Sequence, residues 1–182
     1  MEVVWTVFFA FLFAEFAGGL FHWWEDRYGN PDWPIIGALI VLPNIEHHKR
    51  PGLLCQGTWW NRNNTTLVPC LFGAALALAG WYYLDWPLLW LVFGFLILGQ
   101  MNEVHSWSHQ RCNPVIRFFQ STGLLQSCHH HKIHHERPYN RNYCVFSNYL
   151  NPVLEHSRFW DLLERVVYLL CGAWPRPERA IY

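Results

Sequence analysis

Apolar residues fall in long runs in the first half of the chain and at helical spacing in the second. Residues 3–21 form the first run, about 19 residues or roughly 28 Å as a helix, long enough to span hydrocarbon. Glu15 and several Gly and Ala residues interrupt it. Residues 67–83 and 88–104 read as a hairpin of two further spans turned by Asp85-Trp86-Pro87, with Pro87 suited to a first helical turn. The stretch 35–43 is apolar but too short to cross, which predicts a re-entrant or interfacial segment. Residues 115–125 and 159–170 are amphipathic, with Arg117, Asp161, Glu164 and Arg165 turned away from their apolar neighbours. They predict helices that lie on a membrane surface or cap a site. The stretch 172–182, with Pro175 and Pro177, reads as irregular. The expected architecture is all-α: a polytopic membrane helical bundle of about three to four membrane-embedded helices, with a His-rich cytosolic cap of amphipathic helices. No repeat or linker divides the chain, so residues 1–182 are expected to form one domain.

Composition sharpens this picture. Apolar residues make up 52% of the chain and charged residues 14%, against about 25% charged in a soluble domain. Twelve Trp suit an interfacial belt. Formal net charge is zero, so no overall field points to nucleic acid. All 13 Lys and Arg lie between Arg27 and Arg62 or from Arg111 onward. The positive-inside rule then puts the N-terminus outside or lumenal, the 22–66 loop inside, the 83–87 turn outside, and the rest inside. All eleven His fall on the inner side. The first run has no positive n-region and leads directly into a His motif, unlike a cleavable signal. Six Cys form no CxxC pair and are read as packing residues.

Eight His and one Asp form a metal-binding pattern: His22 with Asp26, His47-His48, His105 with His109, and His131 with His134-His135. Pairs at i,i+3 and i,i+4 share a helix face and can reach one ion. Adjacent His47 and His48 point about 100° apart on a helix, so they serve different ions, or one binds while the other supports. Nine donors are too many for one ion. Isolated His are usually core or interfacial residues; eight in four clusters at one membrane face are hard to read that way. His129 and His130 read as neighbours of the third cluster, and His156 as solvated.

Imidazole and carboxylate suit iron or zinc. A structural zinc site closes with four ligands, often including Cys, and no Cys lies among these. The order His-Glu-x-x-His is absent, and a haem needs one or two axial ligands. Two irons match the set best. Iron can activate O2, whereas zinc has no redox chemistry; zinc remains possible as a substitute in purified protein. A redox site at the bilayer edge meets lipid chains, whose methylenes carry no acidic proton. Loss of two hydrogens gives an alkene, and gain of oxygen gives an alcohol.

Five stretches are similar to one family. They are Gly19-Leu-Phe-His22-Trp-Trp-Glu-Asp26-Arg-Tyr-Gly29, Glu46-His47-His48-x-x-Pro51, Asn102-Glu-Val-His105-Ser-Trp-Ser-His109, His131-Lys-Ile-His134-His135, and Asn142-Tyr-Cys144 through Leu150-Asn151 to Leu154-Glu155. Together they make the chain resemble the Kua-type lipid desaturases, whose branches include plasmanylethanolamine desaturases and plant phosphatidylglycerol desaturases. The resemblance implies His22, His47, His48, His105, His109, His131, His134 and His135 as iron ligands, with Asp26 a ligand or a group behind one. It implies a membrane phospholipid substrate. The 137–145 stretch looks closer to the plant branch. The 130–135 and 150–155 stretches look closer to the other, and the reading leans to vinyl ether formation from plasmanylethanolamine. Phosphatidylglycerol acyl desaturation and lipid hydroxylation with the same cage stay open, as does a non-enzymatic metal- or haem-binding membrane sensor. The long N-terminal extension of the plastid branch is missing, so no transit peptide is expected.

The sequence holds no dinucleotide-binding Gly pattern and no iron–sulfur Cys run. Two electrons per turnover are therefore expected from a separate donor such as cytochrome b5 or a ferredoxin. Lys49, Arg50, Lys132, Arg137 and Arg141 are candidates to dock an acidic donor or hold a lipid phosphate; ordinary positive-inside bias explains them equally well. The expected location is the endoplasmic reticulum in a eukaryote or the inner membrane in a bacterium.

Overall fold

The computed structural model describes residues 2–176. They fold into helices, with no strand among the described residues. In chain order these are α1 (Glu2–Arg27), a π-helical turn (Gly37–Val41) running into α2 (Leu42–Lys49), a 3-10 turn (Pro51–Cys55), α3 (Trp59–Leu84), α4 (Leu89–Leu98), α5 (Met101–Trp107), α6 (Pro114–Thr122), α7 (Cys128–His134), α8 (Leu150–His156) and α9 (Phe159–Cys171).

Two helices, α1 and α3, are long and apolar enough to cross a membrane. At 26 residues each, they reach about 39 Å, more than a hydrocarbon core of about 30 Å. Their outer faces leave Val3, Phe8, Phe72, Leu76 and Tyr82 more than half exposed, a surface that suits lipid rather than water. Helix α4 packs between α1 and α3.

The third apolar run differs from expectation. Residues 88–104 do not form one helix: it breaks at Gly99-Gln100 into α4 and α5. The cause is a close crossing with α3. A Cβ on Gly99 would lie 2.9 Å from Leu67 Cδ1, and Thr66 Oγ1 reaches the Gly99 carbonyl at 3.3 Å. Helix α3 also begins eight residues before the predicted 67, at Trp59. Thr58 caps it by accepting from the Asn61 amide. Its polar first turns pair with α5: Arg62 bridges Glu103 at 2.7 Å, Asn63 Oδ1 accepts from the Glu103 amide, and Asn102 donates to the Arg62 carbonyl.

The amphipathic stretches form α6 and α9. Helix α6 stops at Thr122 because Gly123 turns left-handed at φ +79°, short of the predicted 125. Helix α9 packs on the C-terminal half of α1 through Trp160 against Trp23 and Phe159 against Phe16. Glu164 does not simply face away, as it binds Arg27 at 2.6 Å. Residues 172–176 have no regular structure, and Pro177 with the rest of the tail lies outside the described residues. Arg176 caps the end of α1 by donating to the carbonyls of Glu25, Asp26 and Arg27.

The segment 142–147 locks these parts together. It is non-helical and buried throughout. Its backbone is satisfied mainly by side chains, as a buried loop requires. Asn151 Oδ1 accepts from the Cys144 amide, and Gln126 Nε2 donates to the Cys144 carbonyl at 2.6 Å. Glu15 accepts from the Ser147 amide. Gly19 lets the segment cross α1, since a Cβ there would sit 2.6 Å from Cys144 Sγ.

Candidate metal centre

The nine donors named by spacing converge into two groups. His47, His105, His109, His131 and His135 form one; His22, Asp26, His48 and His134 form the other. Within each, the ligand atoms lie within 4.8 Å of one another. The groups share a wall, with His47 and His48 ring centroids 5.6 Å apart and those of His134 and His135 5.4 Å apart. Adjacent residues thus turn to different groups, as their angular offset on a helix allows. The His105 and His109 ring centroids lie 5.1 Å apart, although His109 lies just past the end of α5.

In the five-histidine group the Nε2 atoms crowd together. His131 Nε2 is 2.8 Å from His105 Nε2 and 3.0 Å from His135 Nε2. His109 Nε2 is 3.2 Å from His105 Nε2. Burial lowers the pKa of His47 and His131 well below the ordinary imidazole value, and neighbouring imidazoles lower both further. Burial likewise holds His109 down at about 4. Neutral rings carry a lone pair for a cation.

In the second group, His48 Nε2 lies 3.0 Å from Asp26 Oδ1 and His134 Nε2 3.3 Å from Asp26 Oδ2. His22 Nε2 stands 3.7 Å from Asp26 Oδ2. Two rings are held from behind. His22 Nδ1 meets the Tyr143 carbonyl at 3.0 Å and His134 Nδ1 meets the Arg141 carbonyl at 2.8 Å. Each contact selects the tautomer whose Nε2 lone pair faces the group. Asn44 Nδ2 donates to Asp26 Oδ1 at 2.6 Å.

This arrangement fits metal. His22 Nε2, Asp26 Oδ2, both nitrogens of His47, and Nδ1 of His131 and His135 are buried without a hydrogen-bond partner. Buried polar atoms in such numbers are costly unless a cation satisfies them. Imidazole with one carboxylate suits iron or zinc, and the number of donors suits two ions.

The other predicted residues lie outside both groups. His129 and His156 are exposed, and His130 approaches Asn151 at 3.2 Å. Lys49 and Arg50 are exposed and pair with Glu46. Lys132 and Arg137 are exposed. The Arg141 side chain lies 3.7 Å from Glu136, while its carbonyl supports His134. Spacing did not reveal Asn44, the Tyr143 carbonyl or Glu25. Glu25 lines a cavity of about 80 Å³ with His22, His47, His105, Asn44 and Asn102. The 142–144 motif was the available signal for Tyr143, though it names no chemistry.

A family model described as a lipid desaturase domain matches residues 11–178. The chain is 28% identical to a plasmanylethanolamine desaturase of Myxococcus xanthus over 180 residues, covering 95% of this chain and 63% of that protein. It is 32% identical to plasmanylethanolamine desaturase 1 of Mus musculus over 177 residues, 92% of this chain and 65% of that protein. It is 31% identical to the chloroplastic fatty acid desaturase 4 of Arabidopsis thaliana over 172 residues, 91% of this chain and 52% of that protein. The chain therefore spans less than two thirds of the length of these relatives. No solved structure matches.

Proposed function

The chain belongs to the lipid desaturase family, and from that premise we propose that it is an O2-dependent membrane lipid desaturase with two irons. It introduces a double bond into an alkyl or acyl chain of a phospholipid, using two electrons from an external donor such as cytochrome b5 or a ferredoxin. The preferred substrate is plasmanylethanolamine, converted to its vinyl ether; the relatives from Myxococcus xanthus and Mus musculus support this choice. The single observation that carries the reading is the convergence of nine donors, eight of them imidazoles, into two adjoining groups.

His47, His105, His109, His131 and His135 would hold one ion, and His22, Asp26, His48 and His134 the other. Bound iron supplies redox chemistry with O2 that can remove hydrogen from an unactivated methylene. The chain supplies position. The Tyr143 and Arg141 carbonyls orient His22 and His134, and Asn44 orients Asp26. Phe21, Leu39, Ile40 and Met101 line the cavity beside the imidazoles, which suits an alkyl chain and keeps bulk water away. Lys49, Arg50, Lys132, Arg137 and Arg141 would meet a phosphate or an acidic donor. The N-terminus faces outside or the lumen, and the imidazoles and C-terminal part face the cytosol; Arg27 at the C-terminal end of α1 and Arg62 at the N-terminal end of α3 support that orientation.

Lipid analysis of a host expressing the chain, beside one expressing His135→Ala, tests the activity. A lipid two hydrogens lighter, present only with the native chain, is expected. If that product cleaves in acid it is a vinyl ether, and if it does not it is an ordinary alkene. A product one oxygen heavier would replace desaturation with hydroxylation. Unchanged lipids under an adequate donor supply would leave a non-enzymatic metal site.

A further inference from the structure

A second cavity, of about 330 Å³, lies between the membrane-crossing helices. Ala17 and Phe21 of α1, Pro69 and Cys70 of α3, and Phe95 and Leu98 of α4 line it. Pro69 is exposed, so the cavity reaches the outer face of the bundle. It adjoins the smaller, histidine-lined cavity, for Phe21, Ile40, Thr65, Thr66 and Met101 belong to both walls. The two follow the helix axes. Along α1 the walls run from Ala17 to Glu25, about 12 Å at 1.5 Å per residue.

The two ends differ in chemistry. At the histidine end, Asn44, Asn102 and Glu25 join the wall. At the other end the wall is apolar except for two Thr and one Cys. Thr66 spends its hydroxyl on the Asn63 and Gly99 carbonyls, so it offers little to a polar guest. A headgroup left unpaired in that apolar end would lose its hydrogen bonds; a hydrocarbon chain would not.

We propose that the apolar cavity between α1, α3 and α4 is the tail subsite for one hydrocarbon chain of the lipid. The chain lies along the helices with its methyl end toward Ala17, Pro69 and Phe95. Its head-side carbons pass the neck formed by Phe21, Ile40, Thr66 and Met101 and reach the imidazoles. The position that reacts is therefore counted from the head end. This rests on the desaturase reading for its substrate class, but occupancy of the cavity can be tested without turnover.

The probe is a phospholipid carrying a photoreactive diazirine either near the methyl end or near the glycerol end of one chain. The full-length protein is irradiated in lipid nanodiscs and the adducts are mapped by mass spectrometry. The methyl-end probe is expected to label the Ala17, Cys70 and Phe95 peptides, and the glycerol-end probe those of Asn44 and Met101. Ala17→Phe should fill the cavity and cut the Cys70 and Phe95 adducts about tenfold, the scale on which shape-filling pockets discriminate. Phe95→Ala, which enlarges the cavity, should retain the Cys70 adduct, and a gel-filtration profile of Ala17→Phe matching the native protein's excludes misfolding of that variant. Adducts confined to lipid-facing residues such as Phe72 and Leu76, or unchanged by Ala17→Phe in folded protein, would overturn the subsite. A reversed pattern for the two probes would overturn its direction. If labelling succeeds and lipid analysis finds no oxidised product, the desaturase reading fails while the lipid site stands.

Discussion

The two donor groups are built differently although they share a wall. The four-residue group is wholly buried and contains the one carboxylate. His22 and His134 each rest on a backbone carbonyl, and Asp26 is held by Asn44. In the five-histidine group, His109 and His135 are only half-buried. Its rings lean mainly on one another, and His47 has neither nitrogen hydrogen-bonded. The first group is preorganised by the protein; the second depends more on the ion to order it. A metal whose ligands are oriented from behind is held more tightly, so the ion of the five-histidine group should be the first to leave a chelator-treated protein.

The largest effects come from removing a ring. His134→Ala and His135→Ala take adjacent residues from different groups, and each should reduce product below detection in lipid analysis. Retained activity in either would remove that residue from the ligand set. Asp26→Asn keeps shape but removes the carboxylate charge, and desaturation should fall by more than the roughly 10–100-fold that loss of a group behind a ligand costs. Asn44→Ala removes only the support of Asp26 and should cost about tenfold, at the lower end of that range, with iron content reduced less than in His134→Ala. Equal losses in the two would mean that Asn44 does more than orient Asp26. The smallest effect is expected at His156, which is exposed and belongs to neither group: His156→Ala should match the native protein in iron content and product.

The donor set and the long apolar runs were legible in the residues alone, and the rest was hidden for physical reasons. Helical spacing picked out the nine donors because i,i+3 and i,i+4 pairs must share a face. It also allowed His47 and His48 to part. It could not say which of them would join His22, since that depends on how α1, α2 and α7 meet. The long apolar runs were visible, but the break at Gly99 was not, because it arises from contact with Leu67 on another helix. The start of α3 was missed because Asn61 to Thr66 look like a loop by composition. They are helical because Thr58 caps them and α5 pairs with them. The support from Tyr143 and Arg141 uses backbone oxygens, which any residue carries, so side-chain identity could not reveal it.

Together the two groups should bind two irons in one chain. Purified protein loaded anaerobically with iron, analysed for metal content and by Mössbauer spectroscopy, tests it most directly. Two irons per chain are expected, in two distinguishable sites, one with protein nitrogen donors alone and one with a carboxylate oxygen as well, and chelator should empty the five-histidine site first. Fewer than one iron per chain, with zinc held tightly in its place, would contradict it.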